Sequence, residues 1–150
     1  MAISRILVYL ACPYSYGETA PEEDRKENIE IADFWGKKLW SMGFVVIHPI
    51  RNDIYVAELI SYEQIMKADL VIIDHCNMIF MCPGWQMSEG TKREYEHAKK
   101  IEKSVMYWQD YSSPKHSGSI FKCYECRVEL KEVTEHGLLC CHLCGRRYKP

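Results

Sequence analysis

At 150 residues, with 47% hydrophobic and 27% charged side chains, the chain carries enough apolar material for one core and a small satellite, and its composition excludes a disordered protein. A formal net charge of −2 excludes overall basicity as a means of recruiting a polyanion. No apolar run approaches the roughly 18 residues of a membrane span, and Met1-Ala-Ile-Ser-Arg5 leads straight into a strand-like run without a signal-peptide cleavage site, so a cytoplasmic protein with no membrane partner is expected.

Residues 6–11 (ILVYLA) are continuously apolar, the pattern of a strand buried on both faces. Pro13 and Gly17 break it. Pro21 suits a first helical turn, and Glu22, Glu23 and Asp24 complement the positive end of the helix dipole. Ile29, Ala32, Trp35, Leu39 and Met42 then recur at helical spacing, and Gly43 ends the helix. Residues 44–48 (FVVIH) read as a second strand stopped by Pro49. Residues 57–67 read as a second helix running into Ala68-Asp69, and residues 70–73 (LVII) as a third buried strand. A loop rich in glycine and methionine passes through Pro83-Gly84-Trp85 to a third helix capped by Ser88 and running to Lys100, and residues 104–108 (SVMYW) read as a fourth strand. Strands alternating with helices predict an α/β fold, a parallel sheet with right-handed crossovers and helices on both faces.

Composition changes after that strand. Residues 109–119 are rich in Ser, Pro and Gly and read as a linker, which makes residues 1–108 the α/β domain and residues 120–150 a separate module. Five of the eight cysteines fall in this last stretch. Cys123-x2-Cys126 and Cys141-x2-Cys144 can form two knuckles closing a tetrahedral structural Zn2+ site, a four-cysteine zinc ribbon. So short a segment cannot bury enough surface to fold unaided, so the metal supplies folding energy. Six Lys and Arg against four Glu give the ribbon +2, which about two negative charges from the zinc–thiolate centre cancel. Nucleic-acid contact through Arg146, Arg147 and Tyr148 is therefore not favoured over a structural or docking role. His136 and His142 are not needed as ligands, and His75 and Cys76 make no second metal site.

In an open parallel sheet, ligands bind beyond the carboxyl ends of the strands. Three segments reach that edge: residues 12–17, the stretch from His48-Pro49 onward, and residues 74–90. Ser88 and the amides that follow it form an anion site at a helix start. Glu94 lies one turn beyond Gly90 on the same helical face, and the missing side chain at Gly90 leaves space above its carboxylate. A phosphate at the helix start and a sugar over Gly90 would bring Glu94 near an anomeric carbon.

Tyr9-Leu-Ala-Cys-Pro-Tyr-Ser15, Asn28, Gly43-x4-His48-Pro49, Ala68-Asp69, Pro83-Gly84-Trp85 and Ser88-x-Gly90-x3-Glu94-x3-Ala98 occur in one order that resembles the nucleoside 2-deoxyribosyltransferase and 2'-deoxynucleoside 5'-phosphate N-hydrolase superfamily over residues 5–108. The nearer likeness is to a branch frequent in phage genomes, with a similar PYS turn and GWxxS loop. The resemblance implies a flavodoxin-like (Rossmann-like) fold, a homo-oligomer of two or more chains whose neighbours close each site, and cleavage or transfer across an N-glycosidic bond. It implies that Glu94 attacks the anomeric carbon, that Ser88 contacts a 5'-phosphate, and that a tyrosine of the first loop holds the nucleophile or sugar. Tyr14 is expected in that role, Tyr9 being inside the strand. Ser15, Arg25, Gly90 and Pro49 are expected around the substrate, and Trp85 either lines the base pocket or anchors its loop. The hydrolases place a leaving-group acid where this chain has Ser61, with Glu58 and Glu63 nearby but off the motif. Asp69 is expected to support the helix–strand turn, Asp74 to be the better catalytic candidate at a strand end, and His97 to be solvated.

The leading expectation is an N-glycosidase, hydrolase or transferase, acting on a nucleoside 5'-monophosphate. The alternatives are a nucleotide-sequestering protein without turnover and a zinc-ribbon docking module for nucleic acid or protein on an oligomeric scaffold. Metal analysis of the purified protein is expected to find about one zinc per chain, lost on Cys123→Ser; iron, or no metal, would overturn the ribbon.

Overall fold

The computed structural model describes residues 2–15, 21–111, 131–133, 138–140 and 147–148. The chain divides into two compact units, Met1–Tyr107 and Trp108–Pro150. In the first, strands β1 (Leu7–Ala11), β2 (Val45–Ile47), β3 (Met78–Met81) and β4 (Ser104–Tyr107) form one sheet in the order β2-β1-β3-β4, every neighbouring pair parallel. Helices α1 (Glu22–Ser41), α2 (Pro49–Val56), α3 (Tyr62–His75) and α4 (Glu89–Lys100) fill the crossovers.

Alternation along the strands decides which helix covers which face. Trp35 of α1 packs on Phe80 with ring centroids 5.2 Å apart, and Leu10 lies against Gly36 of the same helix. Tyr9, Ala11, Ile79 and Met81 point the other way and form a buried cluster with Ile73 of α3 and Ala98 of α4. Buried Asn28, Ala32, Trp35 and Leu39 mark the inner stripe of α1 at spacings of three and four, whereas Met42 is exposed. Gly43 follows with φ +93°, a left-handed conformation that a side chain disfavours.

The middle of the chain departs from the sequence expectation. Residues 70–73 are not a strand but the last turn of α3, whose buried residues Met66, Asp69 and Ile73 fall at helical spacing. Four consecutive apolar residues fit either structure, and here the helix continues because nothing before His75 interrupts it. The third strand lies in the stretch taken for a loop, residues 78–81 (MIFM). The helix expected over 57–67 begins only at Tyr62, as α3, and a separate helix, α2, precedes the expected range, starting at Pro49, whose fixed φ suits a first turn. Ser61 accepts the Gln64 N–H while the Gln64 side chain accepts the Ser61 N–H, a reciprocal cap. The fourth strand stops at Tyr107, and Trp108–Tyr111 form a 3-10 turn.

Cys12 and Cys82 follow β1 and β3, with Cα atoms 4.8 Å apart, and are joined as a disulfide. In the second unit, β5 (Lys131–Val133), β6 (Leu138–Cys140) and β7 (Arg147–Tyr148) form an antiparallel sheet in chain order. The ligand set Cys123, Cys126, Cys141 and Cys144 and linker residues 112–119 lie outside the described residues. No helix among the described residues is long and apolar enough to cross a membrane.

Candidate active site

A cavity of about 430 Å³ opens at the carboxyl edge of the sheet. Cys12, Tyr14 and Ser15 line it from beyond β1, Pro49 and Asp53 from α2, Tyr62, Met66 and Asp69 from α3, and Ser88, Gly90, Thr91 and Glu94 from the start of α4. Residues 16–20 of the β1–α1 connection, Gly17 among them, lie outside the described residues.

Glu94 is 6% exposed. Its Oε1 accepts a hydrogen bond from the Tyr9 hydroxyl at 2.7 Å, and its buried Oε2 has no hydrogen-bond partner. Tyr9 reaches it because the middle of β1 presents that side chain to the face covered by α4. The tyrosine holding the glutamate is therefore Tyr9, not Tyr14. Tyr14 remains a wall of the cavity, its ring facing the Arg25 guanidinium at 5.9 Å.

Two further carboxyls share the cavity. Asp69 is 2% exposed and its Oδ1 has no partner. Asp53, half-buried on α2, makes no hydrogen bond or ion pair among the described residues. Burial raises all three acids. It pushes Asp69 to about 7, with Asp53 adding to the rise and a hydrogen bond with Tyr9 opposing it. It pushes Asp53 to about 6. It holds Glu94 well above the usual carboxyl range, the Tyr9 hydrogen bond pulling down and Asp69 and Asp53 pushing up. The Tyr9 phenol is itself raised by burial and then by Glu94. These carboxyls cannot all be ionised together, so they titrate as a set.

Ser88 caps α4 as expected, its buried hydroxyl accepting the Thr91 N–H at 3.5 Å, while Thr91 Oγ1 donates to the Trp85 carbonyl at 2.6 Å. The space over Gly90 is not open. A Cβ there would come within 3.2 Å of the Tyr62 hydroxyl and 3.6 Å of Met66 Sδ, so the glycine makes room for α3, and Tyr62 closes the space above it. The entry to α2 is tied to α1 by Asp33, which lies 3.0 Å from His48 Nε2 and accepts from Arg51 at 2.5 Å. That clamp aims the turn bearing Asp53.

Three expected site residues lie elsewhere. Asp74 does not end a strand. It lies near the end of α3, 2.7 Å from His97 Nε2, and lines no part of the cavity, so His97 is paired rather than merely solvated. Trp85 anchors its loop, stacked on Tyr95 with centroids 4.6 Å apart and 6.5 Å from Tyr107. Arg25 stands behind Tyr14 and does not line the cavity. Ser61 caps α3, and Glu63 pairs with Arg93 at 3.0 Å on the surface, whereas Glu58 lines the cavity. The residues that sequence reasoning passed over are Tyr9, Asp53 and Asp69. An aspartate three after Met66 and four before Ile73 lies on a buried helical stripe, which was the available signal for Asp69. No cluster of His, Cys, Asp and Glu among the described residues is arranged to hold a metal ion.

A carboxyl raised on folding takes up a proton, so its contribution is fully present below its unfolded value of about 4 and is lost as pH rises through its folded value. For Asp69 that window closes at about 7. Asp69→Asn keeps the shape without the charge. It should raise the thermal midpoint by several degrees at pH 8 and by only about a third as much at pH 5, measured by tryptophan fluorescence. Equal effects at the two pH values would remove the buried charge as the cause.

The family model described as Domain of unknown function (DUF4406) matches residues 7–107, a span that contains the whole sheet and every residue of the cavity. No curated protein matches the chain. The chain thus belongs to the DUF4406 family of domains of unknown function.

Proposed function

We propose that this protein is an N-glycosidase that cleaves, or transfers across, the bond between a sugar and a nitrogenous base, with Glu94 as nucleophile. The observation that carries the reading is a buried glutamate, held on one oxygen by Tyr9 and free on the other, beside Asp69 in one cavity at the ligand-binding edge of the sheet. The strand order β2-β1-β3-β4 is that of the first four strands of a flavodoxin-like sheet, and it agrees with the resemblance to nucleoside 2-deoxyribosyltransferases.

Asp69 supplies the acid that the sequence lacked at Ser61. A carboxyl at about 7 is half protonated at neutral pH, the condition under which one group can both give and take a proton. In the first step the Asp69 proton passes to the leaving base nitrogen as the bond from C1' to that nitrogen breaks, and a Glu94 oxygen bonds to C1'. In the second, Asp69 as carboxylate takes a proton from water, whose oxygen displaces Glu94 from C1' and leaves the free sugar; a second base in place of water gives transfer. Glu94 must be ionised to attack. Burial otherwise protonates Glu94, so its proton passes to solvent before attack, and the positive charge developing on the sugar then stabilises the carboxylate.

A cavity of about 430 Å³ suits a nucleoside, with Ile54, Ile60, Ile65 and the Tyr14 and Tyr62 rings as apolar walls for a base. The sequence suggested a 5'-monophosphate, but the lining argues for the unphosphorylated nucleoside. Asp53, Glu58, Asp69 and Glu94 all line the cavity, and no Lys, Arg or His does among the described residues. A phosphate dianion would enter a field of its own sign. The C-terminal ribbon is proposed as a structural zinc module on the strength of its cysteine spacing alone.

Incubation with ribo- and deoxyribonucleosides and their 5'-monophosphates, followed by chromatography for free base, is expected to release base faster from the nucleosides. Glu94→Gln should slow that release by about 10³ or more. Release from the variant as fast as from the parent would dismiss Glu94 as nucleophile. Unaltered ligand recovered from a tight complex would favour sequestration.

A further inference from the structure

The cavity at the sheet edge is lined by carboxyl groups that are short of partners. Glu94 and Asp69 are 6% and 2% exposed, and each keeps one buried oxygen, Oε2 of Glu94 and Oδ1 of Asp69, with no hydrogen-bond partner. Both residues line the same cavity, together with Asp53 and Glu58, and no Lys, Arg or His among the described residues lines it with them. A buried carboxyl oxygen without a partner is costly, and a site keeps one where the ligand supplies what the protein does not.

A neutral nucleoside supplies hydrogen-bond donors but no counter-charge. Burial then keeps Glu94 protonated, and it has to lose that proton unaided before it can attack. A cationic ligand does more. It stabilises the carboxylate form of both acids as it enters, so the nucleophile is ionised by the act of binding. We infer that the substrate is a nucleoside whose base carries a fixed positive charge, an N-alkylated base or a pyridinium, held in the cavity by the carboxylates of Glu94 and Asp69. This deepens the glycosidase reading and rests on it for the presence of a sugar. The Tyr14 and Tyr62 rings line the same cavity and suit a flat cation.

The bond changes agree with this class. As the bond from C1' to the base nitrogen breaks, its electron pair stays on the nitrogen and cancels the positive charge, so the base departs neutral and takes no proton. A Glu94 oxygen bonds to C1' and forms a neutral ester. Water then attacks C1', Asp69 as carboxylate takes the water proton, and Glu94 leaves as carboxylate. The first step thus turns a cation and an anion into two neutral products, a change that water-excluding surroundings favour. With a cationic base Asp69 is needed as the base of the second step and not as the acid of the first.

The test uses the full-length protein and pairs of compounds that differ in charge more than in shape. Nicotinamide riboside is compared with its neutral dihydropyridine form, and N3-methylcytidine with cytidine, the second pair also as 2'-deoxyribosides. Each rate of base release is divided by the spontaneous rate of the same compound, which removes the greater lability of cationic nucleosides. The cation of each pair should then be favoured by about tenfold or more. Binding is followed apart from cleavage with nicotinamide methylated on its ring nitrogen, a cation with no sugar to lose, against nicotinamide itself. Calorimetry at pH 7 in buffers of different ionisation enthalpy should show tighter binding of the cation by a similar factor, with release of protons that nicotinamide does not cause. Asp69→Asn keeps the shape of the acid and should lower that preference several-fold and reduce the proton release, without weakening nicotinamide. Equal normalised rates within each pair and equal binding of the two amides would overturn the inference and leave the glycosidase standing, as would a preference unaltered by Asp69→Asn. Selective binding of the cation with no base released from any nucleoside would uphold the cation preference and end the glycosidase reading. Absence of both binding and release would end both.

Discussion

A carboxyl group taken out of water needs a hydrogen-bond donor at hand or it stays protonated. Glu94 has one donor, the Tyr9 hydroxyl at 2.7 Å, and the site depends on that bond. Its two partners are 85 residues apart in the chain, one in the middle of the first strand and the other in the second turn of α4. The parallel pairing of β1 with β3 sets the height of Tyr9, and the short 3-10 turn, the Ser88 cap and the Thr91 bond to the Trp85 carbonyl set the start of α4. A register change of one residue in β1 would turn Tyr9 to the α1 face and leave the glutamate with no donor.

Around that bond the fold gathers carboxyl groups, and no Lys, Arg or His among the described residues lines the same cavity. Asp53, Asp69 and Glu94 come from three different helices, and each makes the others harder to ionise. In water the interaction among such groups would be screened by solvent and salt; in a partly closed cavity it persists. It raises Asp69 to about 7 and Asp53 to about 6, and holds Glu94 well above the usual carboxyl range. The raised carboxyls therefore have one source, the exclusion of water from the mouth of the sheet.

The helices and strands at either end of the α/β unit were legible because each carries two agreeing signals. The first strand is apolar throughout and is ended by Pro13; α1 has an acidic first turn, an apolar stripe and Gly43; α4 has Ser88 at its cap. The middle offered contradictory ones. Residues 70–73 are as apolar as a strand, and Met78–Met81 lies among residues suggestive of a loop, so local pattern favoured the wrong assignment. What decides between them is the sheet itself, since β3 pairs with both β1 and β4 and is buried, whereas Val71 of the misread run is 55% exposed. The error carried Asp74 into the site and kept Asp69 out, because an aspartate at a strand end and one on a buried helical stripe invite different readings.

By itself the sequence determined the helices and strands at the two ends of the α/β unit, the Ser88 cap, the position of Glu94 one turn beyond Gly90, and the paired CxxC spacing. All of these are local or depend on residue chemistry at fixed separations. Only the tertiary structure decided which tyrosine holds the glutamate, which aspartates share its cavity, that Tyr62 closes the space over Gly90, and that Trp85 and Asp74 serve elsewhere. Those facts depend on where side chains from separate elements meet and on how much water they exclude. Spacing along a chain encodes neither.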